Sequence, residues 1–196
     1  QARLLYRGLI QQGTAAVLVR EPGYTAVGER IRRLLHKGFM SPMTELLLFS
    51  AARAELVEQV IRPALNEGRV VITDRFAGST IAYQGYARGL PLDKISAANE
   101  LATRGLSPHL TFLLDCNAEL ALTRAHRRGS RSAQDKRHSL ESEPIEFHAK
   151  VREGYLSLAR SDPDRWAVLD GSRSRRTLRD LIWTRVKSAL GQPPAL

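Results

Sequence analysis

The sequence has little of what secreted and membrane proteins are built from. Its 196 residues include one cysteine, Cys116, so no disulfide can form within the chain, which fits a reducing compartment. The longest apolar run, from Leu46 to Ala52 with one serine in it, falls well short of the roughly 18 residues that a membrane span needs. No charged stretch followed by an apolar core and a cleavage site opens the chain. We therefore expect a cytoplasmic protein without a membrane segment.

Acidic and aromatic residues are also scarce. Lys and Arg number 30 against 20 Asp and Glu, a formal net charge of +10, and 6% of the residues are aromatic. A basic chain suits a nucleic-acid-binding module and a nucleotide enzyme equally well, because both attract phosphate. The basic cluster from Arg124 to Arg137 has no interleaved aromatic side chains on which bases could stack. This distribution favours a nucleotide enzyme over a nucleic-acid-binding module, so we expect no nucleic-acid partner.

Hydrophobic residues make up 43% of the chain, enough for one core, and we expect a single domain over residues 1–196. Short apolar strands alternate with helical patterns, which indicates a parallel sheet with helices on both faces, an α/β fold. The predicted strands are 15–19, 70–73, 110–115 and 166–170. The predicted helices are one that ends before Gly13, then 27–35, 41–66, 79–86, 92–103, 118–127, 141–160 and 175–190, with a frayed tail at 192–196.

Charged residues follow the predicted strands at their carboxyl ends, where ligands bind in folds of this kind. Asp74-Arg75 is the sharpest of these signals. Phosphoryl transfer demands positive charge and metal-organising carboxylates in fixed places, and a guanidinium can grip phosphate oxygens with two hydrogen bonds. Taken alone, the dipeptide is explained equally well by a structural ion pair that closes a loop.

Phe49 and Arg53 lie four residues apart on the third predicted helix, so both emerge from one face. A ring and a guanidinium in that arrangement could stack on a flat base and hydrogen-bond to it. On an isolated helix the opposite interpretation holds, with Phe49 in the core and Arg53 on the surface.

Several motifs together closely resemble bacterial thymidylate kinase, in order and over essentially the whole chain. The matching segments are 20–25 (REPGYT), 44–53 (TELLLFSAAR), 74–76 (DRF), 79–85 (STIAYQG), 108–111 (PHLT), 114–115 (LD), 147–148 (FH) and 151–155 (VREGY). The combination is highly specific, whereas any one segment is a weak signal. The resemblance implies a P-loop kinase fold that phosphorylates dTMP to dTDP with ATP and Mg²⁺, as a homodimer.

The resemblance also implies roles on the phosphate side of the site. Arg75, helped by Arg32 and Arg20, would hold the phosphate of the acceptor nucleotide. Asp74 would organise Mg²⁺ and its water. Both Asp74 and Arg75 are therefore expected to be catalytic.

On the base side, five further positions match. Phe49 would stack on thymine, and Arg53 would donate a hydrogen bond to a carbonyl oxygen of the base. Thr80 and Gln84 match positions that contact the base. Tyr83 matches a tyrosine placed against the sugar, where a ribose hydroxyl would protrude.

Residues 124–140 occupy the position of the family's mobile lid, whose closure excludes water and brings positive charge to the transferred phosphoryl group. The candidate arginines are Arg124, Arg128, Arg131 and Arg137, of which Arg128 and Arg137 are expected to be catalytic. For any one of them, a solvated basic loop is the simpler interpretation.

The chain departs from the family at its start. The family begins with an apolar strand and a glycine-rich loop that ends in Lys-Ser/Thr, and neither is present, so the residues that bind the ATP phosphates are unknown. Since Gln1 follows no capping residue and the absent strand is central in the family's sheet, we expect these elements to precede Gln1. A catalytically inactive thymidylate-binding homologue and a kinase for another nucleoside monophosphate are the alternatives.

Smaller departures occur inside the matching segments. Tyr24 stands where the family usually has a second glycine, and Gly78 stands where an aspartate is common. In the lid, His138-Ser139 replaces the usual Asp-Arg or Asn-Arg. This last difference puts the identity of the lid arginine in question.

Overall fold

The computed structural model describes residues 1–36, 40–128 and 140–191. Its strands are β1 (Ala16–Arg20), β2 (Val70–Asp74), β3 (Thr111–Asp115) and β4 (Trp166–Asp170). Its α-helices are α1 (Ala2–Gln11), α2 (Ala26–His36), α3 (Pro42–Leu56), α4 (Arg62–Asn66), α5 (Ala77–Thr80), α6 (Leu92–Thr103), α7 (Ala118–Arg128), α8 (Ile145–Ser161) and α9 (Arg175–Leu190). The alternation of strands and helices predicted from the hydrophobic pattern is confirmed. The predicted tail at 192–196 lies outside the described residues.

Two segments widen into π-helix. Val57–Ile61 joins α3 to α4, so the helical run from residue 42 to residue 66 is continuous, as predicted. Pro63 lies just after this segment, and a proline removes one backbone donor from the regular hydrogen-bond ladder. Ile81–Ala87 follows α5 directly. Such turns are rare and occur frequently at functional sites, and this second one carries Tyr83 and Gln84.

The predicted start of the helix at residue 141 is wrong. Leu140–Ser142 forms a short 3₁₀ turn, and α8 begins at Ile145 after Pro144, which has extended backbone angles. A proline disfavours helical geometry in the residue before it, so Glu143 cannot belong to the same helix.

The strands pair in parallel, but in two separate pairs. β1 pairs with β2, from Ala16 opposite Val70 to Arg20 opposite Asp74, and β3 pairs in the same way with β4. Within the described ranges no strand pairing joins β2 to β3, so the expected single sheet is observed as two two-stranded sheets. One apolar cluster bridges them, because Ile72 of β2 is buried in a group against which Phe112 of β3 also packs.

The register brings the charged strand ends together. Arg20 lies opposite Asp74, and the Glu21 N–H donates to the Asp74 carbonyl oxygen at 3.3 Å. The motifs that follow β1 and β2 are therefore neighbours in space. In the part of the chain that the structure describes, no helix has both the length and the hydropathy needed to cross a bilayer.

Candidate active site

A cleft of about 240 Å³ opens beside the carboxyl ends of β1 and β2. Every residue predicted to bind the substrate lines this cleft, as does Arg75. These residues are Arg20, Arg32, Phe49, Arg53, Arg75, Thr80, Tyr83 and Gln84. Glu21, Ser79, Leu140 and His148 also line it, although the sequence analysis gave them no role. The structure thus brings together residues that are far apart in the sequence, from Arg20 to His148.

Arg53 is the most buried charged side chain of the cleft, with 1% of its surface exposed. Its Nε donates to Glu21 at 3.1 Å, and its Nη2 donates to the other oxygen of the same carboxylate. Nη2 also donates to Thr80 Oγ1 at 2.7 Å, and Nη1 donates to Asn99 Oδ1 at 2.6 Å. The interpretation of Arg53 as a surface residue is wrong, because α3 is covered on this side. We call Glu21, Arg53, Thr80 and Asn99 the buried network.

The buried network holds the Arg53 guanidinium in one orientation. A guanidinium has five N–H groups, and the contacts above use one on Nε, two on Nη2 and one on Nη1. One N–H on Nη1 makes none of these contacts, and Arg53 lines the cleft. Burial raises the pKa of Glu21, and the two contacts with Arg53 oppose that shift. Asn99 completes the arrangement, since its Nδ2 donates to the Ala77 carbonyl oxygen at 3.3 Å.

Gln84 belongs to a second polar group, centred on Glu45 of α3. Its Nε2 donates to Glu45 Oε1 at 2.5 Å, and Glu45 also accepts from Arg88 Nη2 at 3.3 Å. Arg88 forms a further ion pair with Glu143 at 2.7 Å and lies over the Phe147 ring, 4.8 Å from its centroid. Gln84 is therefore held by a carboxylate whose own position is set by α3 and by the segment before α8.

Arg20 and Arg32 share one acidic partner. Glu29 Oε1 lies 3.1 Å from Arg20 Nη2, and Glu29 Oε2 lies 3.5 Å from Arg32 Nη1. The Tyr24 backbone N–H also donates to Glu29 at 3.2 Å. That N–H, together with Arg20, holds the pKa of Glu29 below its ordinary value. One carboxylate therefore orients two cationic side chains that remain partly exposed in the cleft.

The backbone between Arg20 and Glu29 includes two residues with positive φ angles. Tyr24 has a φ of 73°, and Gly23 before it has a φ of 135°. Left-handed angles favour glycine, so the family's usual second glycine at this position has a structural reason, and Tyr24 adopts the same conformation with some strain. The hydrogen bond from the Tyr24 N–H to Glu29 stabilises it there.

Arg75 is held differently from Arg53. Its φ is 75°, and the Thr73 hydroxyl donates to its carbonyl oxygen at 2.6 Å. The guanidinium carbon lies over the Tyr83 ring, 5.0 Å from the centroid, which is a cation–π contact. Among the described residues Arg75 forms no salt bridge, although the charges of Asp74 and Glu21 act on it from nearby. We call Arg20, Arg32 and Arg75 the open arginines.

Tyr83 is fixed by rings from α8. Its ring centroid lies 6.1 Å from that of Phe147 and 6.3 Å from that of Tyr155, both edge to face. Tyr155 in turn shares a hydrogen bond of 2.7 Å with Ser79, and burial raises the pKa of Tyr155 to about 12. These contacts make Tyr83 a rigid wall of the cleft.

Gly78, where the family commonly has aspartate, lies under a tryptophan. A Cβ atom at this position would approach the Trp166 ring to 3.1 Å, closer than most side chains tolerate. Trp166 begins β4 and occupies the space that a larger residue 78 would need. The departure from the family pattern is therefore coupled to the packing of β4.

The structure describes the predicted metal ligand, Asp74, and the side chain of one of the four candidate lid arginines, Arg124. Asp74 ends β2 with an exposed side chain, and Mg²⁺ commonly takes one or two protein carboxylates while substrate phosphates and water complete its shell. Asp74 fits that role as a single ligand, and the described side chains include no group of three or more that could hold a metal. Arg124 donates to the carbonyl oxygens of Gly171 at 2.5 Å and Ser172 at 3.3 Å. The Arg128 side chain, Arg131 and Arg137 lie outside the described set.

Comparison with known proteins identifies the family of this chain. The family model for thymidylate kinase matches residues 1–182. The chain belongs to the thymidylate kinase family. It is 43% identical over 197 residues to a thymidylate kinase of Geotalea uraniireducens, with 98% of this chain and 92% of that protein covered. Over 206 residues it is 43% identical to a thymidylate kinase of Roseiflexus castenholzii, with 100% of this chain and 90% of that protein covered.

Family membership explains which site residues the sequence reveals and which it does not. The substrate-binding residues predicted from the thymidylate kinase motifs all line the cleft, although their individual roles stay predictions. The acidic and amide partners were missed. Glu21 and Glu45 lie inside quoted motifs, and the general rule that buried cations have partners could have singled them out. Asn99 carries no sequence signal, because only the packing of α6 against α3 brings it to Arg53.

Proposed function

We propose that this protein transfers the γ-phosphoryl group of ATP to thymidine monophosphate and produces thymidine diphosphate. The observation that carries the proposal is the cleft, which combines a buried, preoriented hydrogen-bonding group, Arg53, with three further arginines, Arg20, Arg32 and Arg75. The names of the relatives, thymidylate kinase, support the same reaction.

Base recognition in this proposal rests on Phe49 and Arg53. Phe49 stacks on the thymine ring, and the remaining N–H of Arg53 donates to a carbonyl oxygen on the edge of the base. Because Arg53 is fixed by Glu21 and Asn99 before the nucleotide arrives, little reorganisation is needed on binding. A base whose edge does not match leaves buried polar groups unpaired, which is a strong source of discrimination.

Phosphate recognition rests on the open arginines. Four arginines line the cleft, Arg20, Arg32, Arg53 and Arg75, whereas Glu21 is the one acidic residue among its described lining residues. This excess of positive charge suits a dianionic phosphate, and guanidinium groups bind its oxygens in pairs. Tyr83, rigid between Phe147 and Tyr155, stands against the sugar and disfavours a 2′ hydroxyl.

Catalysis then consists mainly of positioning and charge stabilisation. Asp74 would hold Mg²⁺, which would supply charge neutralisation on the phosphates of ATP, the phosphoryl donor. Arg75 keeps the acceptor phosphate in place for attack. Arg128 and Arg137 are the proposed lid arginines that stabilise the transferred group.

We extend the proposal to a cytoplasmic homodimer. The location follows from the proposed substrates, which are intracellular metabolites. For the dimer, support comes from apolar side chains on the outer surface of two packed helices: Val27 and Leu34 on α2 are 41% and 49% exposed, and Leu47 on α3 is 58% exposed. Exposed apolar side chains on neighbouring helices are typical of an interface when they form one patch. Sedimentation equilibrium of the full-length protein tests it.

A coupled kinase assay tests the proposed activity. The full-length protein is supplied with ATP, Mg²⁺ and one of several nucleoside monophosphates. We expect thymidylate to be the preferred acceptor. A preference for guanylate or uridylate would identify another nucleoside-monophosphate kinase, and tight thymidylate binding without turnover would identify an inactive homologue. Either result contradicts the proposed function.

A further inference from the structure

Glu45 occupies an unusual place beside the cleft. It lies in the first turn of α3, its side chain is 11% exposed, and it does not line the cleft itself. Its partners are Gln84, whose Nε2 donates to it at 2.5 Å, and Arg88, whose Nη2 donates to it at 3.3 Å. Neither contact involves the backbone of α3, so the carboxylate acts on groups outside its own helix.

A carboxylate that contacts a side-chain amide determines the orientation of that amide, because only the NH₂ end can donate a hydrogen bond to it. The side-chain amide of glutamine has a donor end and an acceptor end of similar shape, and it can turn by half a rotation. An ionised carboxylate only accepts hydrogen bonds, and Glu45 forms an ion pair with Arg88. The NH₂ group of Gln84 must therefore face Glu45. The carbonyl oxygen Oε1 is on the opposite branch and is left for the cleft, which Gln84 lines.

The cleft then offers two fixed polar groups of opposite kind. Arg53 presents an N–H donor, and Gln84 presents a carbonyl acceptor. On the edge of thymine, the O4 acceptor lies next to the N3–H donor, which is the complementary pattern. Cytosine has the reverse pattern, with an amino donor at position 4 and an acceptor at N3.

We propose that Glu45 is a positioning residue that determines base specificity by fixing the polarity of the Gln84 amide. With Glu45 in place, thymine can accept from Arg53 at O4 and donate from N3–H to Gln84. Cytosine instead places its amino donor against the Arg53 donor and its N3 acceptor against the Gln84 acceptor. This inference rests on the proposed function and adds to it a residue that does not touch the substrate. Arg88 forms ion pairs with both Glu45 and Glu143.

The substitution Glu45→Gln tests the inference with a minimal change in shape. A neutral amide can either accept from Gln84 or donate to it, so Gln84 becomes free to turn. We expect the ratio of kcat/KM for dTMP to that for dCMP to fall roughly 10- to 100-fold, mainly through a higher KM for dTMP, because one buried hydrogen bond is lost or mismatched. An unchanged ratio overturns the inference.

Glu143→Gln is the matched control. Glu143, like Glu45, forms an ion pair with Arg88, at 2.7 Å, so the substitution also removes one negative charge beside Arg88. Unlike Glu45, Glu143 is not the hydrogen-bond partner of Gln84. We expect this variant to keep the wild-type ratio. If it lowers the ratio as much as Glu45→Gln does, the effect comes from Arg88 or from general loosening, and the inference fails.

A double-mutant cycle with Gln84→Met separates the proposed route from any other. If Glu45 acts through Gln84, then Glu45→Gln has no further effect on the dTMP to dCMP ratio in the Gln84→Met background. An undiminished effect in that background contradicts the inference. Failure of the wild-type protein to phosphorylate dTMP would instead contradict the proposed function, so the two failures are distinguishable.

A crystal structure of the wild-type protein with dTMP provides a test that needs no variant. We expect the N3 atom of the base to lie within hydrogen-bond distance of Gln84 Oε1, and Gln84 Nε2 to remain on Glu45. A base whose N3 contacts another group, or a Gln84 amide turned away from Glu45, overturns the inference.

Discussion

The buried network and the open arginines use the same side chain in opposite ways. Arg53 is 1% exposed and donates to three protein groups, whereas the Arg20 side chain is 50% exposed and shares Glu29 with Arg32. A buried charge needs protein partners, because leaving it unpaired away from water is strongly destabilising. An exposed arginine can remain unneutralised until a phosphate binds. In the buried network, the fold itself fixes the position and polarity of the side chains. In the open arginines, positive charge remains available for a bound phosphate.

The largest effect is expected from Arg53→Met. This change leaves the Glu21 carboxylate buried without its partner, and it removes a donor from Asn99 and Thr80. We expect the free energy of unfolding to fall by about 3–5 kcal/mol, as for other broken buried ion pairs. Urea denaturation measures it.

Arg20→Met is the matched control for that prediction. Because Arg20 is half exposed and its ion pair lies at the surface, we expect its free energy of unfolding to stay within about 0.5 kcal/mol of wild type. Equal destabilisation by the two substitutions would erase the contrast between the two regions.

Arg75→Met should have the next largest effect, on activity and not on folding. Losing a charged donor to the acceptor phosphate should lower kcat/KM for dTMP at least 30-fold, or about 2 kcal/mol. Since Arg75 has no salt bridge among the described residues, the urea midpoint should remain close to wild type. Steady-state kinetics and denaturation on one preparation check both parts. A stable variant with wild-type kcat/KM would remove Arg75 from the phosphate site.

Glu29→Gln should have the smallest effect, and it depends on pH. The pKa of Glu29 in the folded protein lies below its ordinary value of 4.5, so its ionised form stabilises the fold above that pH. This contribution is lost as pH falls through the lowered pKa. We therefore expect Glu29→Gln to be slightly less stable than wild type at neutral pH, and the difference to shrink in acid. A thermal unfolding series across pH measures it, and a difference that grows in acid would contradict it.

The positions of strands and of most helices follow from the sequence, because apolar runs and capping residues are local signals. Ser41 and Ser174, for example, cap α3 and α9 with their side chains. The start of α8 was misplaced because Pro144 outweighs the helical pattern around it. The separation of β2 from β3 has no local signal, since strand pairing depends on distant residues.

The candidate site divides in the same way. Phe49, Arg53 and Arg75 are recognisable because they belong to motifs of ordered spacing. Their partners are set by tertiary packing: Asn99 reaches Arg53 across 46 positions, and nothing in the sequence around Asn99 indicates a role. The lid arginine Arg137 lies outside the described residues and stays a prediction.

The most direct test of the contrast is a calorimetric titration of thymidine and of thymidylate into the wild-type protein and into Arg75→Met. Thymidine carries the base and sugar without the phosphate. If base recognition belongs to the buried network and phosphate binding to the open arginines, the variant binds thymidine as the wild type does and binds thymidylate much more weakly. If both ligands lose the same affinity, the division of the cleft into two regions is wrong.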